Sequence, residues 1–221
     1  MLQGAIFDFD GTLADTAWIW RKTVSQLIHT RGRCYDERWL FATAYMEPLE
    51  IAGYIIEHYG VPGEPQEIVN QMDEGMRTLY HHAKLKDGVA ELLALLWQQK
   101  IKMCVATASE KALVSSVLER CGVARFFEEV LSCQDVGRSK RWPDVYLAAA
   151  ARLGTPVGDT AVFEDMLLAA QTARKAGFPV IAVRDDVSAT KEHRQKLQSL
   201  AVRYVNTPRE LLKERSWMLT V

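Results

Sequence analysis

The chain has 221 residues, 48% of them hydrophobic and 25% charged, which suits an ordinary soluble protein of one large domain or a domain carrying an insertion. Lys and Arg number 27 against 28 Asp and Glu, a net charge of -1, and that balance argues against a general nucleic-acid or membrane-surface binder. Cys34, Cys104, Cys121 and Cys133 are scattered without a C-x-x-C pair or clustered His, so free thiols are expected rather than a zinc site or a disulfide framework.

The first element is a short apolar run, Ala5-Ile6-Phe7, that leads straight into Asp8-Phe9-Asp10-Gly11-Thr12. It is too short and too soon acidic for a signal peptide or a membrane span, so the cytoplasm is the expected compartment. A strand that delivers two acids into a Gly-containing turn places them at its C-terminal end, where open α/β sheets bind ligands. Alternation puts Asp8 and Asp10 on one side, and two uncompensated carboxylates there repel each other. A divalent cation resolves this, and all-oxygen ligands suit Mg2+. The plainer alternative is an ordinary Asp-Gly turn with Asp8 as a capping residue.

Residues 17–83 change character. Trp, Tyr, Met and Ile recur at helical spacing, which predicts helices over 18–28, 39–45, 49–59 and 68–80, with breaks at Arg31-Gly32, Met46-Glu47-Pro48 and Gly60-Val61-Pro62-Gly63. Most of these aromatic residues are read as core.

From Leu85-Lys86-Asp87-Gly88 onward, strands and helices alternate. A helix over 89–99 precedes a strand over 101–106 that ends in Thr107-Ala108-Ser109. A hydroxyl at that strand end, ahead of a helix over 110–120, is placed for an anion; for Ser109, capping alone is a sufficient reading. A strand is expected over 126–132. The following loop carries Lys140-Arg141-Trp142-Pro143-Asp144, then a helix over 144–153 and a strand over 160–163 that ends in Glu164-Asp165. This is a second acidic pair at a strand end, although a helix N-terminus also favours acids. A helix over 167–176, a buried strand over 180–183, a polar helix over 191–200, an edge strand over 202–205 and a last helix over 209–215 after Thr207-Pro208 complete the series. The apolar tail Trp217-Met218-Leu219 can dock on the core or on a partner.

Taken in order, Asp8-Phe9-Asp10-Gly11-Thr12, Thr107, Lys140 ahead of Pro143-Asp144, and Glu164-Asp165 resemble the four motifs of the haloacid dehalogenase superfamily. The match is to its helical-cap branch (subfamily I), which includes phosphatases and β-phosphoglucomutase-like proteins. The resemblance covers the whole chain. It implies an α/β fold: a Rossmann-like parallel sheet core of residues 1–16 and 84–221, with an inserted α-helical cap of residues 17–83. It further implies Asp8 as nucleophile and Asp10 as general acid/base. Mg2+ would be held by the Asp8 carboxylate, the Asp10 backbone carbonyl and Asp165, with Glu164 acting through water or one layer out. Phosphate would meet the backbone N–H groups of Phe9, Asp10 and Ala108, the Thr107 hydroxyl and the point charge of Lys140.

The implied reaction is hydrolysis of a small phosphorylated metabolite through an aspartyl-phosphate, by a monomer or weak homodimer with no nucleic-acid or membrane partner. Asp10 argues against carbon–halogen cleavage, since dehalogenases of the superfamily lack that acid. Phosphonate hydrolysis would need a cap lysine, for which only Lys22 and Lys84 are candidates. A hexose-phosphate mutase is the nearest alternative, although that branch has a histidine where this chain has Trp20. The chain also departs from the family at Arg141-Trp142, Met166 and Ala169, so a phosphometabolite-binding module without turnover is a further alternative. In the cap, Trp20, Tyr45 and Met46 are the candidate specificity residues. No Lys or Arg lies between Arg38 and Arg77, so the cap offers no second phosphate clamp there, and a sugar or polyol phosphate is favoured.

Overall fold

The computed structural model describes residues 1–29, 43, 46, 48–185, 190–214 and 216–220, and they form two compact units, Met1–Asp15 with Lys84–Val221 and Thr16–Ala83. In chain order the elements are β1 (Gly4–Phe7), β2 (Ala14–Asp15), α1 (Ala17–His29), α2 (Pro48–Tyr59), α3 (Pro65–Tyr80), β3 (Lys84–Leu85), α4 (Val89–Gln98), β4 (Lys102–Thr107) and α5 (Lys111–Arg120). They continue with β5 (Glu129–Ser132), α6 (Cys133–Val136), α7 (Asp144–Leu153), β6 (Thr160–Glu164), α8 (Leu167–Lys175), β7 (Val180–Val183), α9 (Lys191–Leu200), β8 (Arg203–Val205), α10 (Glu210–Lys213) and α11 (Trp217–Thr220).

The larger unit is built on a six-stranded sheet in the order β5-β4-β1-β6-β7-β8, with every pairing parallel. Its central strands are unbroken apolar runs because both faces are covered, as an all-parallel sheet requires. On one face Ile6, Cys104, Ala106, Val162, Val180 and Ala182 pack under Val145, Tyr146 and Ala149 of α7 and Ala170 and Ala173 of α8. On the other, Phe7 stacks on Phe163 at 4.2 Å between ring centroids, and Trp217 meets Phe163 edge-on at 6.1 Å. The apolar tail therefore docks on the core: Trp217 is buried, its Nε1 donates to the Leu211 carbonyl at 3.1 Å, and the Met218 carbonyl accepts from Leu2 N.

Chain order reverses at β1: the path runs outward through β4 to β5, then crosses back to β6. In the register, Phe7 pairs with both Val105 and Phe163. Asp8, Thr107 and Glu164-Asp165 consequently leave the sheet at the C-terminal ends of three adjacent strands, the place where such sheets bind ligands.

Two of the differences from the sequence expectation have a visible local cause. The strand expected over 126–132 begins only at Glu129, because Ala124–Phe126 form a 3-10 turn whose bonds Phe126 N to Val123 O and Phe127 N to Ala124 O keep that backbone local. The helix expected over 209–215 is a single turn, α10. Glu214 leaves it in an extended conformation and its carboxylate pairs with Arg203, while Arg215 lies outside the described residues.

The smaller unit is helical among its described residues. Val24, Leu27 and Ile28 of α1, Ile51, Ala52 and Ile55 of α2, and Ile68, Val69 and Met72 of α3 close one apolar cluster. Helix α3 starts with Pro65 at its first turn, and the Glu67 carboxylate accepts from the backbone N–H of Glu64 at 3.2 Å, which satisfies an otherwise orphan donor. Most of the helix expected over 39–45 lies outside the described residues.

Candidate active site

The loop after β1 is tight. Gly11 N donates to Ala14 O at 2.9 Å, and Leu13 and Ala14 N both donate to Phe9 O. Gly11 has φ +81, and a Cβ added there would lie 2.4 Å from Asp165 Oδ2, so glycine is needed both for the turn and for the approach of the β6 acid. Thr12 Oγ1 donates to Asp165 Oδ1 at 3.3 Å. The turn thus holds the second acidic pair against the first.

Asp8, Glu164 and Asp165 are all buried, and one oxygen from each lies within 4.8 Å of the others. Lys140, from the loop before α7, reaches into this group and donates to Asp8 Oδ1 and, at 2.6 Å, to Glu164 Oε1. Tyr146 on α7 donates its hydroxyl to the same Glu164 oxygen at 2.8 Å. Asp8 and Glu164 therefore share the Lys140 ammonium, and Asp165 stands beside them. Burial pushes the Asp8 carboxyl up to about 7, against the pull of Lys140 and with the help of Glu164 and Asp10. Asp165 is raised well above the carboxylate range by burial and then by Asp8, Glu164 and Asp185, with Lys86 opposing. Lys140 stays charged: burial disfavours its ammonium, but Asp8 and Glu164 outweigh that and raise it well above its ordinary value.

An excess of buried negative charge on hard oxygen donors is a set that fits a divalent cation such as Mg2+, for which Asp8, Asp165 and Glu164 are the available side chains. Asp10 is outside that side-chain trio. Its carboxylate Oδ2 accepts from Ser109 Oγ at 2.6 Å.

Ser109 corrects the sequence reading. The residue preceding α5 in the capping position is Glu110, which makes no side-chain cap bond, and the Ser109 hydroxyl is spent on Asp10. Its backbone N–H donates to Thr107 Oγ1 at 3.0 Å, so the buried Thr107 shapes the β4 loop while Ala108 between them is exposed. Phe9 is fully buried under the turn. Tyr146 was not singled out in the sequence; the available signal is that it is the one aromatic in the alanine-rich stretch Asp144-Val145-Tyr146-Leu147-Ala148-Ala149-Ala150-Ala151, a ring that brings a hydroxyl into a buried face.

Trp142 is 55% exposed with the Arg138 guanidinium 5.2 Å from its ring centre, and the Arg141 carbonyl accepts from Thr172 of α8. Trp20 and Met46 are half-buried against the apolar cluster of the helical unit, and Tyr45 lies outside the described residues.

The profile of haloacid dehalogenase-like hydrolases matches residues 5–183, a span that holds every one of these strand-end groups. The chain belongs to this family. Among haloacid dehalogenase relatives, it is 31% identical over 185 residues to the fructose-1-phosphate phosphatase YqaB of Escherichia coli (strain K12), covering 82% of this chain and 96% of that one. It is 29% identical over 205 residues to the "Probable pseudouridine-5'-phosphatase" of Drosophila melanogaster, with 89% of each chain covered. The fold is that of the β-phosphoglucomutase structure from Clostridium difficile, with a TM-score of 0.81 at 19% identity over 100% of this chain and 96% of that one. Among the described residues no helix is long and apolar enough to cross a membrane.

Proposed function

We propose that this haloacid dehalogenase-type phosphoric monoester hydrolase is a Mg2+-dependent phosphatase of the cytoplasm that cleaves a small sugar or polyol phosphate through an aspartyl-phosphate on Asp8. The observation that carries the reading is the pairing of two carboxylates two positions apart in different states: Asp8 buried and gripped by Lys140, Asp10 held by Ser109. One is set up as a nucleophile and the other as a proton carrier.

In the forward step an Asp8 oxygen attacks phosphorus in line while Asp10 gives its proton to the leaving alcohol. In the second step Asp10 takes a proton from water, which attacks the acyl phosphate and frees Asp8. Lys140 balances the charge on the transferring group, and the N–H groups of Phe9, Asp10 and Ala108 with the Thr107 hydroxyl line its oxygens. Asp8, the Asp10 carbonyl, Asp165 and Glu164 would hold Mg2+, which supplies further neutralisation of phosphoryl charge. Ser109 acts by fixing the direction of Asp10.

Residues 17–83 are read as the cap, with Trp20, Tyr45 and Met46 as its specificity candidates. Its lack of Lys and Arg between Arg38 and Arg77 favours a leaving group without a second phosphate. The named relatives support the same class, since each is named for a sugar or nucleoside carrying a single phosphate.

The test is phosphate release from sugar, polyol, nucleotide and glycolate phosphates, with Mg2+ and with chelator, on wild type and Asp8→Asn. Mg2+-dependent release confined to wild type and strongest on sugar or polyol monophosphates is expected. Preference for a bisphosphate or phosphoglycolate overturns the substrate class. Isomerisation of a hexose phosphate without net release assigns the mutase, and binding without turnover assigns the non-catalytic module.

A further inference from the structure

Beside the acidic cluster lies a second buried ion pair that the proposed reaction does not use. Lys86 stands where the chain re-enters the larger unit after β3. Its backbone N–H donates to Leu13 O at 2.9 Å, in the loop that also carries Gly11 and Thr12 against Asp165. Its Nζ extends to the end of β7, where it donates to Arg184 O at 2.8 Å and to Asp185 Oδ2 at 3.1 Å. The two side chains are 14% and 4% exposed.

Strands β6 and β7 are neighbours with Glu164 opposite Ala182. Asp165 therefore leaves the end of one strand and Asp185 the end of the next, on the same edge of the sheet. Asp185 is a fourth buried acid at this edge, and Lys86 is its counter-charge.

We propose that the Lys86–Asp185 pair is a positioning and charge-setting element that fixes how tightly the Asp8, Glu164 and Asp165 cluster holds its divalent cation. The proposal rests on the Mg2+ reading of that cluster. Asp185 adds negative potential that draws the cation in, and Lys86 offsets it so that binding stays reversible. The pair is tied to the cluster by geometry, since the Lys86 N–H holds Leu13 O in the loop whose Thr12 Oγ1 donates to Asp165 Oδ1, and Asp185 follows the strand next to that of Asp165. In a partly screened setting at the same sheet edge, one buried charge is expected to change cation affinity by about tenfold. A pair that only clasped the loop to the sheet would not care about the sign of the charge removed.

The experiment is Mg2+ titration by calorimetry at one fixed pH, on wild type, Asp185→Asn, Lys86→Met, the double variant and Asp165→Asn. Asp185→Asn is expected to weaken Mg2+ binding about tenfold and Lys86→Met to tighten it about tenfold, with the double variant back near wild type. Single variants that shift binding in the same direction, or not at all, overturn the proposal while leaving the metal reading intact. Wild type that binds no Mg2+, or binding that survives unchanged in Asp165→Asn, overturns both. Should Lys86→Met fail to fold, the decision falls to Asp185→Asn and Lys86→Arg: weakening in the first with wild-type affinity in the second supports the proposal, and an unchanged Asp185→Asn overturns it.

Discussion

The two units solve opposite problems. Among the described residues Thr16–Ala83 buries no charged side chain: its buried side chains are aliphatic residues and Met, with Tyr80 and the threonines Thr16, Thr23 and Thr43. The larger unit buries Asp8, Glu164, Asp165 and Asp185 at one edge of its sheet. Burying such charge is tolerable only where partners are fixed in place, so the larger unit is committed to one geometry. The apolar cluster of the helical unit depends on volume and shape, which many sequences satisfy. The comparison teaches where substitution is free and where it is not.

Glycines give the sharpest contrast, and the largest effect is at Gly11. With φ +81 and Asp165 Oδ2 in the path of a Cβ, Gly11→Ala must displace the turn or the acid, and a displacement of that size costs about 100-fold or more in kcat. A variant with near wild-type kcat would show that the site is not as tightly determined as the larger unit's burial implies.

Next is the stability of the acidic cluster itself in chelator. An acid raised on folding binds its proton more tightly when folded, so its contribution to stability falls as pH rises from the ordinary carboxylate value of 3.8 to about 7 and stays lost above that. Asp8→Asn removes the penalty. At pH 8 its Tm should exceed that of wild type by about 2–4 °C for each kcal/mol of penalty removed, and the gain should fade as pH falls to 4. A gain that is constant with pH would mean that packing, not charge, is responsible. The same substitution ends the proposed reaction, which places stability and function in direct opposition at this residue.

A smaller effect is expected at Ser109. Its hydrogen bond to the Asp10 carboxylate is of the charge-assisted kind worth about 1.5–3 kcal/mol, so Ser109→Ala should lower kcat by about tenfold or more with little change in KM. A change in KM alone would reassign Ser109 to substrate binding.

The smallest effect lies in the helical unit, at Gly53 inside α2. A Cβ there meets nothing within 4 Å, so Gly53→Ala should stabilise by about 0.5–1 kcal/mol through helix propensity, seen in denaturant midpoint, with kcat unaltered. Loss of stability there would blur the contrast between the two units.

Much of this was legible in the sequence because it is local. Apolar runs of strand length that end in Asp8, in Thr107 and in Glu164-Asp165 are statements about neighbouring residues, and the hydrophobic period that separates residues 17–83 from the rest is equally local. The boundaries that slipped, at Ala124–Phe126 and at Glu210–Lys213, are places where a local turn or a distant ion pair took over backbone that periodicity alone would extend. What the tertiary structure decided is which charge answers which. Lys140 reaches Asp8 across 132 positions of chain, and Ser109 reaches Asp10 and Lys86 reaches Asp185 across 99 each. Those partnerships follow from the strand order and register of a parallel sheet, which brings the ends of distant strands to one edge. No local pattern encodes that juxtaposition, because each side chain is chosen for a partner that only the crossovers bring within reach.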